Sequence, residues 1–312
     1  MGTSCRLVVV PPPGVGREQD ARVTHQALTE AEAALRRVEA QMSTWIDATP
    51  LSRFNRAPPG ERFPLPAPVV HVLRRSRELH AATDGAFDVT CRPLIELWRA
   101  AGKSGQLPPP TAIAKARAAS SWNVLDLADD GVTKHAPGAR VDLGGIAKGY
   151  AIDQAVAAMR RAGAHGGLVD VGGDVRVFGQ QPSQSPWEIQ LRDPSGTGVI
   201  GTFPIREGAV CTSGDYFRFA EIAGQRYSHI IDPRSGRPAR GVRSATVVAP
   251  DALTADAWAT ALSVLGEAGL DRVPPDLEAV LILGRKGHLR AVATAGFRHL
   301  IRDDLPYPTT FR

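Results

Sequence analysis

The 312-residue chain has few cysteines, no long apolar run and no leader-like start, and each absence excludes a class of protein. Its three cysteines, Cys5, Cys91 and Cys211, lie far apart and form no CxxC pair, which argues against a disulfide scaffold or a zinc ribbon. No uninterrupted apolar stretch approaches the roughly 20 residues of a membrane-spanning helix, so an integral membrane protein is excluded. The first residues lack the charged start, apolar middle and cleavage site of a secretory signal.

Aromatic residues are also scarce, at 6% of the chain, whereas basic residues outnumber acidic ones and give a net charge of +5. Such a charge suits nucleic acid, a membrane surface or a polyanionic small molecule. The basic residues form no long run and few aromatics lie among them, which argues against nucleic-acid binding. Glycine and proline are abundant, with 31 and 25 residues, but clustered, which predicts turns rather than disorder. The length suits one large domain or two moderate ones.

The spacing of apolar residues predicts several strands in runs and a smaller number of amphipathic helices. Helices are predicted at 24–42, 69–79, 146–162 and 253–265. Strands are predicted at 6–10, 124–127, 132–135, 168–171, 175–178, 187–191, 198–204, 217–222, 244–248, 279–283 and 289–294. Segment 43–66 is predicted to be irregular and segment 102–110 a loop. Because the strands do not alternate strictly with helices, the predicted class is α+β, with mixed or antiparallel sheets packed against helices.

The segment VDLGGIAKGY, residues 141–150, leads directly into a predicted helix. Its paired glycines let the backbone approach a ligand closely, and the start of the helix together with Lys148 favours a phosphate. The spacing matches neither the Walker A loop nor the GxGxxG dinucleotide fingerprint. A plain strand-to-helix turn with a solvated lysine is the competing interpretation.

Asp256 and Thr260 are four residues apart in the predicted helix 253–265. On a helix this spacing brings a carboxylate and a hydroxyl to one face. With waters and a backbone carbonyl, such a pair suits a hard cation such as Mg²⁺. An acidic residue near a helix start, followed one turn later by a packed threonine, gives the same pattern without a metal.

His229 ends an apolar strand just before the turn-forming segment DPRSG, residues 232–236. In that place a histidine serves as a general base, as a neighbour of a metal, or as a hydrogen-bonded structural residue. Ser213 lies in the sequence TSG but lacks the GxSxG context of a hydrolase nucleophile, so a serine hydrolase is disfavoured.

Two further segments combine polar and aromatic side chains. In DGAFDVT, residues 84–90, the side chains of Asp88 and Thr90 are predicted to lie on the same side of an extended segment. Trp45 is suited to stacking on a planar ring. A place in the hydrophobic core is the competing interpretation for both Trp45 and Phe87.

In their order and spacing, these motifs resemble the FAD:protein FMN transferases, the ApbE-type flavin transferases. The matching segments are MGT at 1–3, MSTW at 42–45, LSRFN at 51–55, DGAFDVT at 84–90, VDLGGIAKGYAID at 141–153, LVDVGGDVRVFG at 168–179, AVCTSGDY at 209–216, SHIIDPRSGRP at 228–238 and TADAWAT at 254–260. The resemblance covers residues 1–266. It implies an ApbE-like, T-fold-related architecture for a single unit spanning 1–312, with a division into two subdomains left open.

The resemblance also implies a Mg²⁺-dependent reaction. FAD is split at its pyrophosphate, FMN passes to a threonine or serine hydroxyl of an acceptor flavoprotein, and AMP leaves. Phosphoryl transfer needs neutralised phosphate charge and a hydroxyl held in line, which a metal ion and cationic groups supply. An FAD pyrophosphatase would use the same site with water as the nucleophile, and a non-catalytic FAD-binding carrier is the third interpretation.

Carried over motif by motif, the resemblance implies roles for individual residues. Asp256 and Thr260 would ligate Mg²⁺ together with the backbone carbonyl of Gly145, which makes Asp256 a catalytic residue. His229 would draw the proton from the acceptor hydroxyl. The residues implied to contact FAD are Met1, Trp45, Ala86, Phe87, Asp88, Asp142, Lys148 and Ile230.

The sequence departs from the family pattern in a few places. Trp45 stands where tyrosine is common, which keeps the stacking and loses the hydrogen bond of a phenol. Cys211 stands where a small residue is typical, and we interpret it as a packing residue. Many relatives are exported lipoproteins, whereas no lipobox or signal precedes the MGT here. The sequence therefore predicts a cytoplasmic protein, or a periplasmic one if a signal has been removed.

Overall fold

The computed structural model describes residues 2–14, 16–181, 183–196, 198–214, 219–285 and 287–312. The α-helices in this part of the chain are Arg17–Met42 (α1), Pro50–Arg56 (α2), Ala67–Ala82 (α3), Arg92–Ser104 (α4), Pro110–Ala119 (α5), Ala147–Arg161 (α6) and Ala252–Leu265 (α7). The strands are Cys5–Val10 (β1), Arg62–Pro64 (β2), Leu125–Leu127 (β3), Gly131–Lys134 (β4), Gly166–Val171 (β5), Asp174–Phe178 (β6), Trp187–Arg192 (β7), Val199–Ile205 (β8), Gly208–Gly214 (β9), Phe219–Ile222 (β10), Gln225–Ser228 (β11), Ile231–Asp232 (β12), Arg237–Pro238 (β13), Val242–Ala249 (β14), Glu278–Arg285 (β15), His288–Ala293 (β16) and Thr309–Phe311 (β17).

The main sheet has eight strands in the order β1-β5-β6-β9-β14-β15-β16-β17. Its neighbouring strands are antiparallel except for the last pair, β16 and β17, which run parallel. Smaller sheets are formed by β2-β4-β3, β7-β8, β10-β11 and β12-β13. The predicted α+β class with a mixed sheet is therefore confirmed.

Both faces of the main sheet are covered, and since side chains alternate along a strand, neighbouring residues pack against different elements. In β15, Ala279, Leu281 and Leu283 belong to the apolar cluster that contains α1, α6 and α7. The intervening Val280 and Ile282 belong to a second cluster with the β7-β8 hairpin. The helices thus lie on one face of the sheet and the hairpin on the other.

Helices α6 and α7 approach each other closely at Gly149. A Cβ atom at this position would lie 2.1 Å from the carbonyl oxygen of Ala252, the first residue of α7. Any larger residue would force the two helices apart at the point where α7 begins.

A third apolar cluster lies around Trp98 in α4 and includes Tyr227 and Ile231. The rings of Trp98 and Tyr227 are stacked with their centroids 5.5 Å apart. The indole N–H of Trp98 donates to the carbonyl of Gly236 at 2.9 Å and so anchors the turn of the DPRSG segment. The division of the chain into two subdomains stays a prediction.

Most predicted elements are confirmed, with different ends. The segment 43–66, expected to be irregular, contains α2 and β2, and the expected loop 102–110 starts later because α4 continues to Ser104. The helix expected from residue 24 begins at Arg17. Helices α4 and α5 and strands β9, β12, β13 and β17 were not predicted. Residues 217 and 218 of the predicted strand 217–222 lie outside the described residues.

Candidate active site

Asp256 and Thr260 lie one turn apart on α7, as predicted. This helix is buried almost all round, because α6, β9 and β14 pack against it. Asp251 caps its start by accepting a hydrogen bond from the Thr254 N–H at 2.8 Å. Asp256 itself is only 2% exposed, so its carboxylate needs partners within the protein.

Those partners come from the start of α6. The Lys148 ammonium donates to Asp256 Oδ1 at 3.1 Å, and the Gly149 N–H donates to Oδ2 at 3.1 Å. Burial raises the pKa of Asp256 to about 6, although Lys148 opposes the rise. Burial would lower the pKa of Lys148, but its carboxylate neighbours outweigh this effect and raise it.

A second carboxylate, Asp174, also binds Lys148, although no role was predicted for it from the sequence. Lys148 also donates to Asp174 Oδ2, while Asp174 Oδ1 accepts from the Thr212 N–H at 3.0 Å. Asp174 follows Gly172 and Gly173, whose φ angles of 68° and 95° form the tight turn between β5 and β6. In the sequence, the signal that could have indicated Asp174 is an acidic residue directly after two glycines. We call Lys148, Asp174 and Asp256 the acid–lysine cluster.

Oxygen atoms also surround Thr260. Its hydroxyl lies 3.3 Å from the hydroxyl of Ser213 on β9. A Cβ atom added to Gly145 would be 3.0 Å from Thr260 Oγ1 and 3.4 Å from the ring of Phe87. The backbone of Gly145 therefore lies directly over Thr260, and the structure brings these predicted site residues together. Within the described ranges, no group of three or more His, Cys, Asp or Glu side chains could hold a metal ion.

Asp142 joins the MSTW segment and the start of α4 to its own segment, 141–150. Its Oδ2 accepts from Arg92 Nη1 at 3.0 Å and from the Thr44 hydroxyl at 3.4 Å, and its Oδ1 accepts from the Gly144 N–H at 2.9 Å. Beside it, Asn55 exchanges two hydrogen bonds of 2.8 Å with the backbone of Val141. Arg92 and Asn55 received no role from the sequence, because the residues that they bind, Asp142 and Val141, lie 50 and 86 positions further along the chain.

The DGAFDVT segment is not extended as predicted. Asp88 caps a 3₁₀ turn, Val89–Cys91, and accepts a hydrogen bond from the Thr90 N–H at 2.7 Å. Asp88 is buried, with its carboxylate 3.3 Å from Nδ1 of His80. The neighbouring Ala86 and Phe87 are buried too, which confirms the core interpretation for Phe87.

The contact between His80 and Asp88 predicts a pH-dependent stability. The hydrogen bond to Asp88 raises the pKa of His80, against the effect of burial, and the charge of Asp84 adds to the rise. A raised pKa in the folded state means that the stabilisation is complete below about pH 6.5, the usual value for an unfolded histidine, and is lost as the pH rises through the folded value.

We therefore expect the difference in melting temperature between wild type and His80→Gln to be largest near pH 5.5 and to shrink towards pH 8.5. His71, on the same helix, packs near the ring of Tyr150 and provides the control His71→Gln, whose difference should not follow this course. A difference for His80→Gln that stays constant with pH would contradict the assignment.

Trp45 is 79% exposed, so the core interpretation is wrong for this residue. The guanidinium of Arg99 lies over its ring, 4.8 Å from the ring centroid. An exposed indole steadied in this way is available to stack on a planar ligand. By contrast, Cys211 on β9 is fully buried against the start of α7, in line with its interpretation as a packing residue.

His229 and Ile230 lie in the link between β11 and β12. His229 is exposed, and Ile230 is half-buried, with its N–H donating to the Ser228 hydroxyl at 3.1 Å. The link leads into the DPRSG turn, where Asp232 accepts from the N–H of Arg234 at 3.0 Å. Met1, which the resemblance implied to contact FAD, lies outside the described residues.

The fold defines the class to which the protein belongs, that of the flavin transferase structures. The chain is similar to the structure of the flavin transferase ApbE from Vibrio cholerae, with a TM-score of 0.83 and 29% identity over 96% of each chain. It is also similar to the ApbE protein from Thermotoga maritima, with a TM-score of 0.84 and 31% identity over 97% of each chain.

Sequence comparison specifies the family within that class. The model of the ApbE family matches residues 1–281. The FAD:protein FMN transferase of Vibrio cholerae is 34% identical over 272 residues, which cover 86% of this chain and 80% of that protein. The chain belongs to the ApbE family. Among the described residues, no helix has both the length and the apolar character needed to cross a bilayer.

Proposed function

We propose that this protein transfers FMN from FAD to a threonine or serine hydroxyl of an acceptor flavoprotein, in a Mg²⁺-dependent reaction that releases AMP. The observation that carries the proposal is the acid–lysine cluster beside Thr260 and Gly145, in a chain whose relatives are named FAD:protein FMN transferase. Two buried carboxylates face one ammonium, which leaves one negative charge in excess. Such an excess favours a divalent cation at this place.

The residues present fit Mg²⁺. The available donors are a carboxylate at Asp256, a hydroxyl at Thr260 and the backbone at Gly145, and oxygen donors are the ligands that Mg²⁺ prefers. The absence of a side chain at Gly145 keeps the space above the Thr260 hydroxyl open, because a Cβ atom there would come within 3.0 Å of it. Asp174 is a second acid at this place, because Lys148 donates hydrogen bonds to both Asp174 and Asp256.

When bound, Mg²⁺ would neutralise charge on the FAD pyrophosphate and so favour its cleavage. The remaining roles belong to the chain itself. Lys148, one-third exposed, presents a cation beside the acids for the phosphates. Trp45 offers its exposed ring to the flavin, and half-buried Ile230 lines the nucleotide. Exposed His229 takes the proton from the acceptor hydroxyl as that oxygen attacks.

Hydrolysis of FAD to FMN and AMP is the competing reaction, since water would replace the acceptor hydroxyl as the nucleophile. The exposure of His229 favours the transferase, because a base at the surface is accessible to a hydroxyl carried by another protein.

The test incubates the purified protein with FAD, Mg²⁺ and an FMN-accepting flavoprotein domain. We expect covalent, acid-stable flavin fluorescence on the acceptor, and none on an acceptor whose target threonine is replaced by alanine. His229→Ala should slow the labelling by about 100-fold, the usual contribution of a general base. Release of FMN and AMP without any labelled acceptor would refute the transferase and support the pyrophosphatase.

A further inference from the structure

The carboxylate of Asp153 connects α6, α7 and β6. Its Oδ1 accepts from the Ala252 N–H at 2.9 Å and from Arg176 Nη1 at 2.5 Å, and its Oδ2 accepts from the Leu253 N–H at 2.9 Å. The side chains of Asp153 and Arg176 are 14% and 18% exposed. One acid from α6 therefore holds the first two residues of α7.

Two different carboxylates bind the free N–H groups at the start of α7. Asp251 binds the Thr254 N–H and belongs to the same segment as the helix, so it moves with α7. Asp153 binds the two preceding N–H groups from another helix. Of these two carboxylates, Asp153 is therefore the one that ties the start of α7 to α6.

One turn further along, the same two helices meet at Asp256. Gly149 and Asp153 are four residues apart on α6 and so lie on one face, as do Ala252 and Asp256 on α7. The Gly149 N–H binds Asp256 at 3.1 Å, one turn from the contact between Asp153 and Ala252. A shift of the helix start would be transmitted to the Asp256 carboxylate within a single turn.

Strand β6 binds both ends of this contact. Asp174 and Arg176 are two residues apart and lie on one face of the strand. Asp174 pairs with Lys148, and Arg176 pairs with Asp153, so two ion pairs of opposite polarity join β6 to α6. The acid–lysine cluster and the Asp153 contact thus join the same three elements, α6, α7 and β6.

We propose that Asp153 is a positioning residue, which sets the place of the Asp256 carboxylate relative to Lys148 and Asp174 and thereby the affinity of the site for Mg²⁺. This inference rests on the proposed function, because the cation belongs to it. Burial raises the pKa of Asp153 in spite of Arg176 and the two N–H groups, so its ionised form is a poor source of stability. Placement of α7 is then the contribution that remains.

The test compares Asp153→Asn with Asp251→Asn, the same substitution at the residue that caps α7 from its own segment. Mg²⁺ is titrated calorimetrically into the FAD-free protein, and melting temperatures are measured in parallel. We expect Asp153→Asn to lose Mg²⁺ affinity by about tenfold, the usual effect of disturbing the groups that orient a metal ligand, and Asp251→Asn to keep the wild-type affinity. In turnover, Asp153→Asn should require more Mg²⁺ for half-maximal rate and recover its kcat at saturating Mg²⁺.

Arg176→Gln provides a second variant in case Asp153→Asn does not fold. It removes the ion pair but keeps both hydrogen bonds to α7, so we expect a loss of Mg²⁺ affinity smaller than the loss of about tenfold in Asp153→Asn. If Asp153→Asn binds Mg²⁺ with wild-type affinity, the role of Asp153 is overturned but the proposed function is not; Arg176→Gln decides the point in the same way if Asp153→Asn does not fold. An equal loss of Mg²⁺ affinity in Asp251→Asn would have the same meaning. A wild-type protein that binds no Mg²⁺ would overturn both the inference and the metal dependence of the proposed function.

Discussion

Replacing Asp256 by asparagine is expected to lower the rate of FMN transfer by about 100- to 1,000-fold while FAD still binds. The substitution keeps the shape of the side chain, and its amide oxygen can still accept from Gly149, but the charge is lost. Without that charge, the excess of acid over lysine in the cluster disappears, and with it the attraction for a divalent cation. Losses of this size are usual when one preorganised electrostatic contribution is removed. The transfer rate is measured with a labelled acceptor, and FAD binding by fluorescence titration.

Ser263→Ala is the matched control for Asp256→Asn. Ser263 is buried on the same helix, where its hydroxyl donates to the carbonyl of Ala259 at 2.9 Å. Its removal disturbs α7 without reaching the acid–lysine cluster, so turnover should stay near that of the wild type. Unchanged turnover in Asp256→Asn would show that the metal assignment is wrong. A loss of FAD binding as large as the loss of rate would assign Asp256 to substrate binding instead.

Lys148→Met is expected to have the largest effect on stability, a loss of about 3 kcal/mol in the free energy of unfolding at pH 7.5. The change leaves the carboxylates of Asp174 and Asp256, 4% and 3% exposed, without their shared cation. Removing one partner of a buried ion pair usually costs about 3–5 kcal/mol, and the partial exposure of Lys148 places this case at the lower end. FAD binding should weaken more than the chemical step slows, since the lysine faces the phosphates.

The loss in Lys148→Met should depend on pH. Lys148 lowers the pKa of Asp256, so without the lysine that pKa rises above its present value of about 6. An acid whose pKa is higher in the folded state than in the unfolded one stabilises the protein at low pH and loses this contribution as the pH rises through the folded value. Urea unfolding should therefore give a smaller loss at pH 5 than at pH 7.5.

Lys115→Met, at an exposed lysine on α5, is the control and should change stability little at either pH. An equal loss for Lys148→Met at both pH values would contradict the role of the two acids. A loss of chemical rate larger than the loss of FAD affinity would contradict the assignment of Lys148 to phosphate binding.

The helices and strands could be predicted where the pattern of apolar residues within one segment indicates its secondary structure. Alternating apolar residues predicted β7, β8 and β14, a short apolar run predicted β15, and helical spacing predicted α3, α6 and α7. The missed helices begin with proline, which was interpreted as a break in structure. In α2, Pro50 occupies the first helical position after a Thr49 cap, and α4 and α5 also start with proline in their first turn. A proline is compatible with the first turn because the N–H that it lacks has no partner there.

The candidate site could be predicted only in part, for a similar reason. Lys148, Asp256 and Thr260 were found from local motifs, and the structure brings them together. Asp174 was missed because its importance depends on Lys148, a partner on another element. Asp142 was predicted to contact FAD, yet both its oxygens are bound by the protein, so its contact with FAD stays a prediction. Such partnerships depend on tertiary structure and have no pattern in one sequence.

The acid–lysine cluster is assembled in a definite order while the chain is synthesised. Lys148 and Asp174 are 26 residues apart, whereas Lys148 and Asp256 are 108 apart. During synthesis the first pair can form once the α6–β5–β6 segment has left the ribosome, and it is electrically neutral. The excess negative charge arises only when α7 has been made and docks against α6. A nascent chain therefore has little attraction for a divalent cation at this place until five of the eight strands of the main sheet have been made.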